Sequence, residues 1–160
     1  ELRDSPAQTA ASQYIHKYRR PDAAQRLAQD GFADMVDGLR DADGRLPAWF
    51  DDDTRSRYIQ TWSQPGALDA ALNYYRAGAI FPPLPGEPAL PVLDESALVV
   101  RAPTLLLWGE RDRYLLPGCA QGLQHVVPDL RVQRFPNASH WIAHEEPEAV
   151  SSLILDHANS

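Results

Sequence analysis

Apolar and polar positions change rhythm once along the chain. Up to about residue 80 the apolar residues recur at three- and four-residue intervals, with no β-branched run to suggest a strand, so this stretch reads as all-α. Ser5-Pro6 offers an N-cap followed by proline at the first helical position. Ala11, Tyr14, Ile15 and Tyr18 then fall at i, i+3, i+4 and i+7, which predicts one helix to about Arg20, where Pro21 stops it. A second short helix is expected over residues 22–30, closed by Gly31, and a third over 32–39, ended by the turn Asp41-Ala42-Asp43-Gly44. Asp51-Asp52-Asp53 stand just before another apolar-periodic segment. Three carboxylates there suit the positive end of the following helix dipole better than a metal ion. Over residues 67–79, Leu68, Leu72, Tyr75 and Ala79 share one face, so Tyr75 points with the leucines and Tyr74 is rotated away.

From 81 to 103 the pattern dissolves into prolines at 82, 83, 85, 88, 91 and 103, which predicts an extended connector. Beyond it, Thr104-Leu-Leu-Leu-Trp108, closed by Gly109, is a continuous apolar run of the kind found in a parallel strand buried on both faces. A second strand is expected over 130–135, with helices over 116–127 and 146–157. That β-α-β-α order is half of a doubly wound α/β sheet. Two parallel strands alone leave both edges unpaired, so further strands are expected from elsewhere. The expected division is a helical domain over 1–80, a connector over 81–103 and an α/β portion over 104–160.

Composition narrows the possibilities. The chain has 160 residues, 44% of them hydrophobic, enough for a globular core. Its formal charge is −7, and Lys17 is the only lysine, which argues against sequence-independent binding to nucleic acid. A single cysteine, Cys119, permits no internal disulfide and no Cys/His zinc cluster, so a reducing, cytoplasmic setting is expected. The longest apolar runs fall far short of the roughly 18 residues that cross a bilayer, so no membrane association is expected. The first residues carry neither a basic region nor an apolar one, and no initiator Met. No signal peptide is expected, and the chain is expected to be a piece of something longer.

The candidate chemistry lies after the two strands. Asp112 follows Trp108 by four residues and His140 follows Phe135 by five, which puts both on the rim at the carboxyl ends of the strands, where open parallel sheets bind ligands. An acid and then a histidine on loops after successive strands are the second and third members of a nucleophile–acid–base triad in one familiar chain order. The acid would orient the imidazole, which takes a proton. The plainer alternative is that Asp112 is a turn residue in Glu110-Arg111-Asp112-Arg113 and His140 an ordinary loop histidine.

The surrounding residues decide further. Pro103-Thr-Leu-Leu-Leu-Trp-Gly-Glu-Arg-Asp112, Val127-Pro-Asp-Leu-Arg-Val, Pro136-Asn-Ala-Ser-His140-Trp and Glu145-Glu-Pro147-Glu resemble the C-terminal part of the α/β-hydrolase superfamily. Ala11-Ser-Gln-Tyr14-Ile-His and Pro65-Gly-Ala-Leu-Asp-Ala-Ala-Leu-Asn73-Tyr74-Tyr75-Arg76-Ala are similar to the cap domain of the epoxide hydrolases. The resemblance covers nearly the whole chain and implies a fold: the C-terminal part of an α/β-hydrolase, two parallel strands with flanking helices, preceded by an all-α cap. It also implies roles, with Asp112 as triad acid, His140 as general base, and Tyr14 and Tyr75 as the phenols that hold the epoxide oxygen. Two O–H donors facing a developing alkoxide would stabilise it. Read without the resemblance, a tyrosine on an apolar helix face is a core residue. Trp49, Phe50, Trp62 and Trp141 read as wall or core, and His16, His125, His144 and His157 as surface or helix residues.

One feature of the family is missing. No Gly-x-Ser-x-Gly or Gly-x-Asp-x-Gly elbow occurs in these 160 residues. The resemblance therefore implies that the nucleophile, Asp or Ser, comes from an N-terminal part, and that this chain alone is inactive. The implied partners are that N-terminal part, or self-association, and a small apolar epoxide-type substrate; no metal or organic cofactor is implied. A dehalogenase, a serine esterase or lactonase of the same fold, and a non-catalytic binding module are the alternatives.

Overall fold

The computed structural model describes residues 2, 4–79, 81–84, 86–88 and 94–159. It opens with α1 (Pro6–Ala11), whose first turn is closed by the Ser5 side chain accepting from the Gln8 N–H, with Pro6 at the first helical position. The single helix expected from Ser5 to Arg20 is broken after α1. Ser12 leaves it with φ −95° and ψ 0°, and α2 (Tyr14–Tyr18) begins two residues later. The break falls beside a tertiary anchor, since buried Gln8 donates to the Tyr114 carbonyl at 2.7 Å and accepts from the Leu116 N–H at 2.8 Å. The chain divides into two compact units, Gln13–Phe81 and Glu1–Ser12 with Pro82–Ser160. The first twelve residues group with the α/β portion, whereas the helical pattern placed them in an expected 1–80 domain.

The helical unit holds α2, α3 (Ala23–Leu27), α4 (Ala33–Asp37), α5 (Asp52–Trp62) and α6 (Ala67–Ala77). The helix expected over 22–30 stops at Leu27 because Asp30, Gly31 and Phe32 all take positive φ, at 50°, 64° and 65°. Only the glycine adopts that region without strain. Burial of the Phe32 ring, 8% exposed, holds the other two in place. Asp51 caps α5 by accepting from the Thr54 N–H at 2.8 Å, with Asp52 and Asp53 in the first turn, so the acidic triplet serves the helix start as expected. Ala23, Leu27, Phe32, Leu68 and Leu72 form the core of the unit, flanked by Tyr18, Met35, Ile59, Trp62 and Tyr75. Each buried leucine contributes about 1.5–3 kcal/mol. Tyr74, on the same helix as Leu72, is 81% exposed, as its rotation away from the leucine face predicts. Trp49 and Phe50, just before α5, and Tyr58 and Trp62 on it form a chain of ring contacts, which agrees with the reading of Trp49, Phe50 and Trp62 as core or wall.

The α/β unit is built on β1 (Thr104–Gly109) and β2 (Leu130–Phe135), paired in parallel from Thr104 opposite Leu130 to Gly109 opposite Phe135. A helix α7 (Ile142–Glu145) and α8 (Pro147–Ala158) follow, and α8 packs on β1. Among the described residues these are the two strands, and the burial expected on both faces of β1 is reached only at Trp108 and Gly109; Thr104 to Leu107 are half-buried. The helix expected over 116–127 is absent. Two short 3₁₀ turns, Pro117–Ala120 and Leu123–His125, stand there instead. Pro117 begins the first, and Gly122, at φ 73°, separates the two in a conformation no helix continues. The proline connector contains one 3₁₀ turn, Glu95–Leu98, and its residues 85 and 89–93 lie outside the described residues.

Candidate active site

The α/β unit brings Asp112 and His140 together. Oδ2 of Asp112 lies 2.8 Å from Nδ1 of His140, while Oδ1 accepts from the backbone N–H groups of Tyr114 at 2.8 Å and Leu115 at 2.9 Å. The carboxylate is therefore gripped on both oxygens, one by its own loop and one by the imidazole. Burial opposes its charge, but the His140 hydrogen bond, the Leu115 and Tyr114 N–H groups and the charge of His140 outweigh burial and hold the carboxyl below the usual range. The Asp112 side chain is 9% exposed and that of His140 36%, so the acid is sheltered while the imidazole remains reachable. The His140 ring is flanked by Tyr114 and Trp141, each 5.1 Å away between centroids.

Backbone contacts align the two loops. The Phe135 carbonyl accepts from Glu110 N–H at 3.0 Å, and the Ala138 carbonyl accepts from Arg111 N–H at 2.9 Å, so the segment after β1 is tied to the segment after β2. Gly109 makes the approach possible. A Cβ there would stand 2.2 Å from the Ser139 carbonyl oxygen and 2.7 Å from that of Ala138, closer than any side chain permits. The Glu145 carboxylate accepts from Ser139 N–H at 2.6 Å and from its hydroxyl at 2.7 Å, bracing the residue just before His140.

The helical unit brings Tyr14 and Tyr75 together. Their ring centroids are 6.2 Å apart at 80°, and Tyr18 packs edge-on to both, 5.2 Å from each. Tyr14 and Tyr18 are one turn apart on α2, and Tyr75 comes from α6, which packs against α2. At the end of α2, Arg19 donates to the carbonyls of Tyr75 and, at 2.8 Å, Gly78, with its guanidinium 4.2 Å from the Phe81 ring centre. One cation thus caps α6 and ties its C-terminal turn to α2. The four predicted site residues therefore form two pairs, Asp112 with His140 and Tyr14 with Tyr75, each inside one unit.

Sequence reasoning missed the parts that hold these pairs: Glu145 and Gln8 in one unit, Tyr18 and Arg19 in the other. Gly109 was visible as the end of a strand, but nothing in sequence revealed the carbonyls pressed against it. Among the described residues no group of three or more His, Cys, Asp and Glu side chains could hold a metal ion. No described helix is long and apolar enough to cross a membrane.

No family model matches the chain. Among curated proteins it is 34% identical to the AB hydrolase superfamily protein YfhM of Bacillus subtilis over 158 residues, covering 95% of this chain and 49% of that protein. It is 29% identical to Epoxide hydrolase 3 of Xenopus tropicalis over 160 residues, covering 94% of this chain and 40% of that one. Among solved structures, a Bacillus megaterium epoxide hydrolase in complex with an inhibitor superposes with a TM-score of 0.77 at 26% identity, over 100% of this chain and 55% of that one. The fold, with its acid and histidine after successive parallel strands, is part of an α/β-hydrolase fold. Within that superfamily the likeness is to the epoxide hydrolase branch. The chain spans about half the length of these relatives, 49% and 40% of the two curated proteins.

Proposed function

We propose that this chain supplies the helical cap and the acid–base half of an epoxide hydrolase-like enzyme that converts an epoxide to a diol. The observation that carries the reading is the 2.8 Å contact between His140 and Asp112. The Tyr14–Tyr75 pair narrows the reaction from ester to epoxide. In the first step a carboxylate from the N-terminal part attacks an epoxide carbon, the C–O bond of the ring breaks, and a phenol of Tyr14 or Tyr75 passes its proton to the departing oxygen. In the second, His140 takes a proton from water, whose oxygen attacks the carbonyl carbon of the alkyl-enzyme ester. The ester C–O bond then breaks, the departing alkoxide takes the remaining proton of that water and leaves as the diol, the nucleophile returns as carboxylate, His140 gives its proton to solvent and the phenolate regains one from solvent. One epoxide and one water give one diol. No metal or organic cofactor takes part, and the 160 residues alone, lacking the elbow, give no turnover.

Dehalogenases need halide donors, and serine esterases use backbone N–H groups at the oxyanion, so neither calls for two phenols. The test is Tyr75→Phe in the full-length protein that carries this chain. Epoxide opening should slow by roughly 10²–10³, the range for removing one donor to a developing oxyanion, while ester hydrolysis barely responds. Phenylalanine keeps the ring that packs on Tyr18 and the leucine face, so the change removes one donor and little packing. Undiminished epoxide opening would reduce the tyrosines to core residues and return the reading to the esterase alternative.

A further inference from the structure

We propose that Gln8, at the opposite end of the sequence from the acid loop, is the positioning residue that holds that loop and so keeps the Asp112 carboxylate against His140. Gln8 is 1% exposed, and its amide uses its full hydrogen-bonding capacity. Nε2 donates to the Ser12 hydroxyl at 2.9 Å and to the Tyr114 carbonyl at 2.7 Å. Oε1 accepts from the Leu116 N–H at 2.8 Å and from the Cys119 thiol at 3.2 Å. Two of these four bonds go to the backbone on either side of Leu115, and the N–H groups of Tyr114 and Leu115 are the ones that grip Asp112. The segment lies between the end of β1 and a 3₁₀ turn, so no strand or helix ladder fixes it.

The amide does what a ladder partner would do. One face of residues 114–116 is pinned to α1, leaving the N–H groups of the other face aimed at Oδ1, while Oδ2 is free to meet the imidazole. A buried amide satisfied at every position is rigid, because any rotation orphans a donor or acceptor in a dry site.

This inference rests on the reading of Asp112 and His140 as an acid–base pair, but its first readout does not. In the full-length protein, the Asp112 carboxyl is followed by carbon-detected NMR titration in Gln8→Met, which keeps the side-chain length and removes all four polar contacts. The Asp112 pKa should rise toward the ordinary aspartate value of about 3.9 as its N–H partners drift. Turnover should fall about ten- to a hundredfold in kcat with KM little changed, as expected of a misplaced catalytic pair. Ser12→Ala removes the one Gln8 bond made to its own end of the chain and leaves the bonds to Tyr114, Leu116 and Cys119 in place. It should lower the melting temperature and leave both the titration and kcat in place, which a purely structural role for Gln8 would not distinguish. Should Gln8→Met fail to fold, Gln8→Asn, whose amide is one methylene short of the loop, should give the same upward shift. A folded Gln8 variant with unchanged Asp112 titration and unchanged kcat overturns the proposal. His140→Ala with undiminished turnover would instead overturn the catalytic reading, leaving the titration result standing.

Discussion

The two units hold their site residues by different means. In the helical unit, Tyr14 and Tyr75 are placed by side chains: three rings in edge contact and an arginine closing the end of α6. In the α/β unit, Asp112 and His140 are placed by backbone: N–H groups on the carboxylate, carbonyls crossing between loops, and a glycine that admits them. Ring packing is adaptable, because aromatic contacts have broad minima and neighbours can shift by fractions of an ångström. Backbone hydrogen bonds and a carbonyl pressed on a bare Cα have no such latitude. On the proposed function, a cap assembled by packing can vary with its substrate, whereas an acid–base pair must stay within hydrogen-bond distance to work at all.

The sharpest way to separate the units is to remove the base. On the proposed reaction, His140→Ala in the full-length protein leaves ring opening intact, because that step uses the nucleophile and the phenols. Ester hydrolysis loses its base and slows by about 10²–10⁴. The protein should therefore accumulate a covalent adduct equal in mass to the substrate, detectable by intact-protein mass spectrometry. Tyr75→Phe should show no such accumulation. An adduct in the tyrosine variant and none in the histidine variant would reverse the assignment of steps.

A smaller effect tests the contrast in tolerance. Gly109→Ala adds one methyl against the Ser139 and Ala138 carbonyls and should destabilise the protein by about 1–3 kcal/mol, the cost of overpacking a site with no give. Because those carbonyls lie in the His140 loop, turnover should fall as well. Leu72→Ala, in the core of the helical unit, should cost about 2–5 kcal/mol yet disturb turnover less at a temperature where the protein stays folded. Thermal unfolding with activity measured well below the transition checks both. Equal loss of activity per unit of lost stability would erase the distinction between the units.

Sequence carried much of this and failed in identifiable places. The strand over 130–135 was legible to the residue and that at 104 to within its last position; the latter is a continuous apolar run closed by a glycine, which has few other uses in an α/β chain. Asp112 and His140 were candidates from those strand ends, whereas the spacing to Leu72 gave Tyr75 only its helix face, and its candidate role came from the resemblance to the epoxide hydrolase cap. The expected helix over 116–127 failed because the apolar spacing of Leu116, Leu123 and Val127 outvoted Pro117 and Gly122, whose backbone conformations decide the local structure. The long first helix failed for another reason. Nothing in its periodicity shows that Gln8 is buried and bonded to residues more than a hundred positions away. Contacts of that kind, like the carbonyls against Gly109, exist only once the chain has folded.

The smallest expected effect concerns acid. Asp112 keeps its carboxyl below the usual aspartate range because bonds from His140, Leu115 and Tyr114 together outweigh burial. Its folded-state pKa is therefore below its unfolded value of about 3.9, and the native state binds fewer protons than the unfolded one through that interval. The resulting stability is fully present above the unfolded value and is lost as pH falls through the folded one, so it is constant near neutral pH and changes only on the acid limb. Asp112→Asn keeps the shape and removes the titration. Its melting temperature should lie below that of the unsubstituted protein at pH 6, and the gap should narrow as the pH drops past 4 toward 3. The helical unit gives the control, since Asp34, at the surface and paired with Lys17 in an exposed ion pair, contributes little by comparison. Asp34→Asn should therefore track the unsubstituted protein across the same range. A gap for Asp112→Asn that stays constant from pH 6 to pH 3 would mean that the carboxylate is held by shape alone, and that the bonds gripping it do not favour its charge.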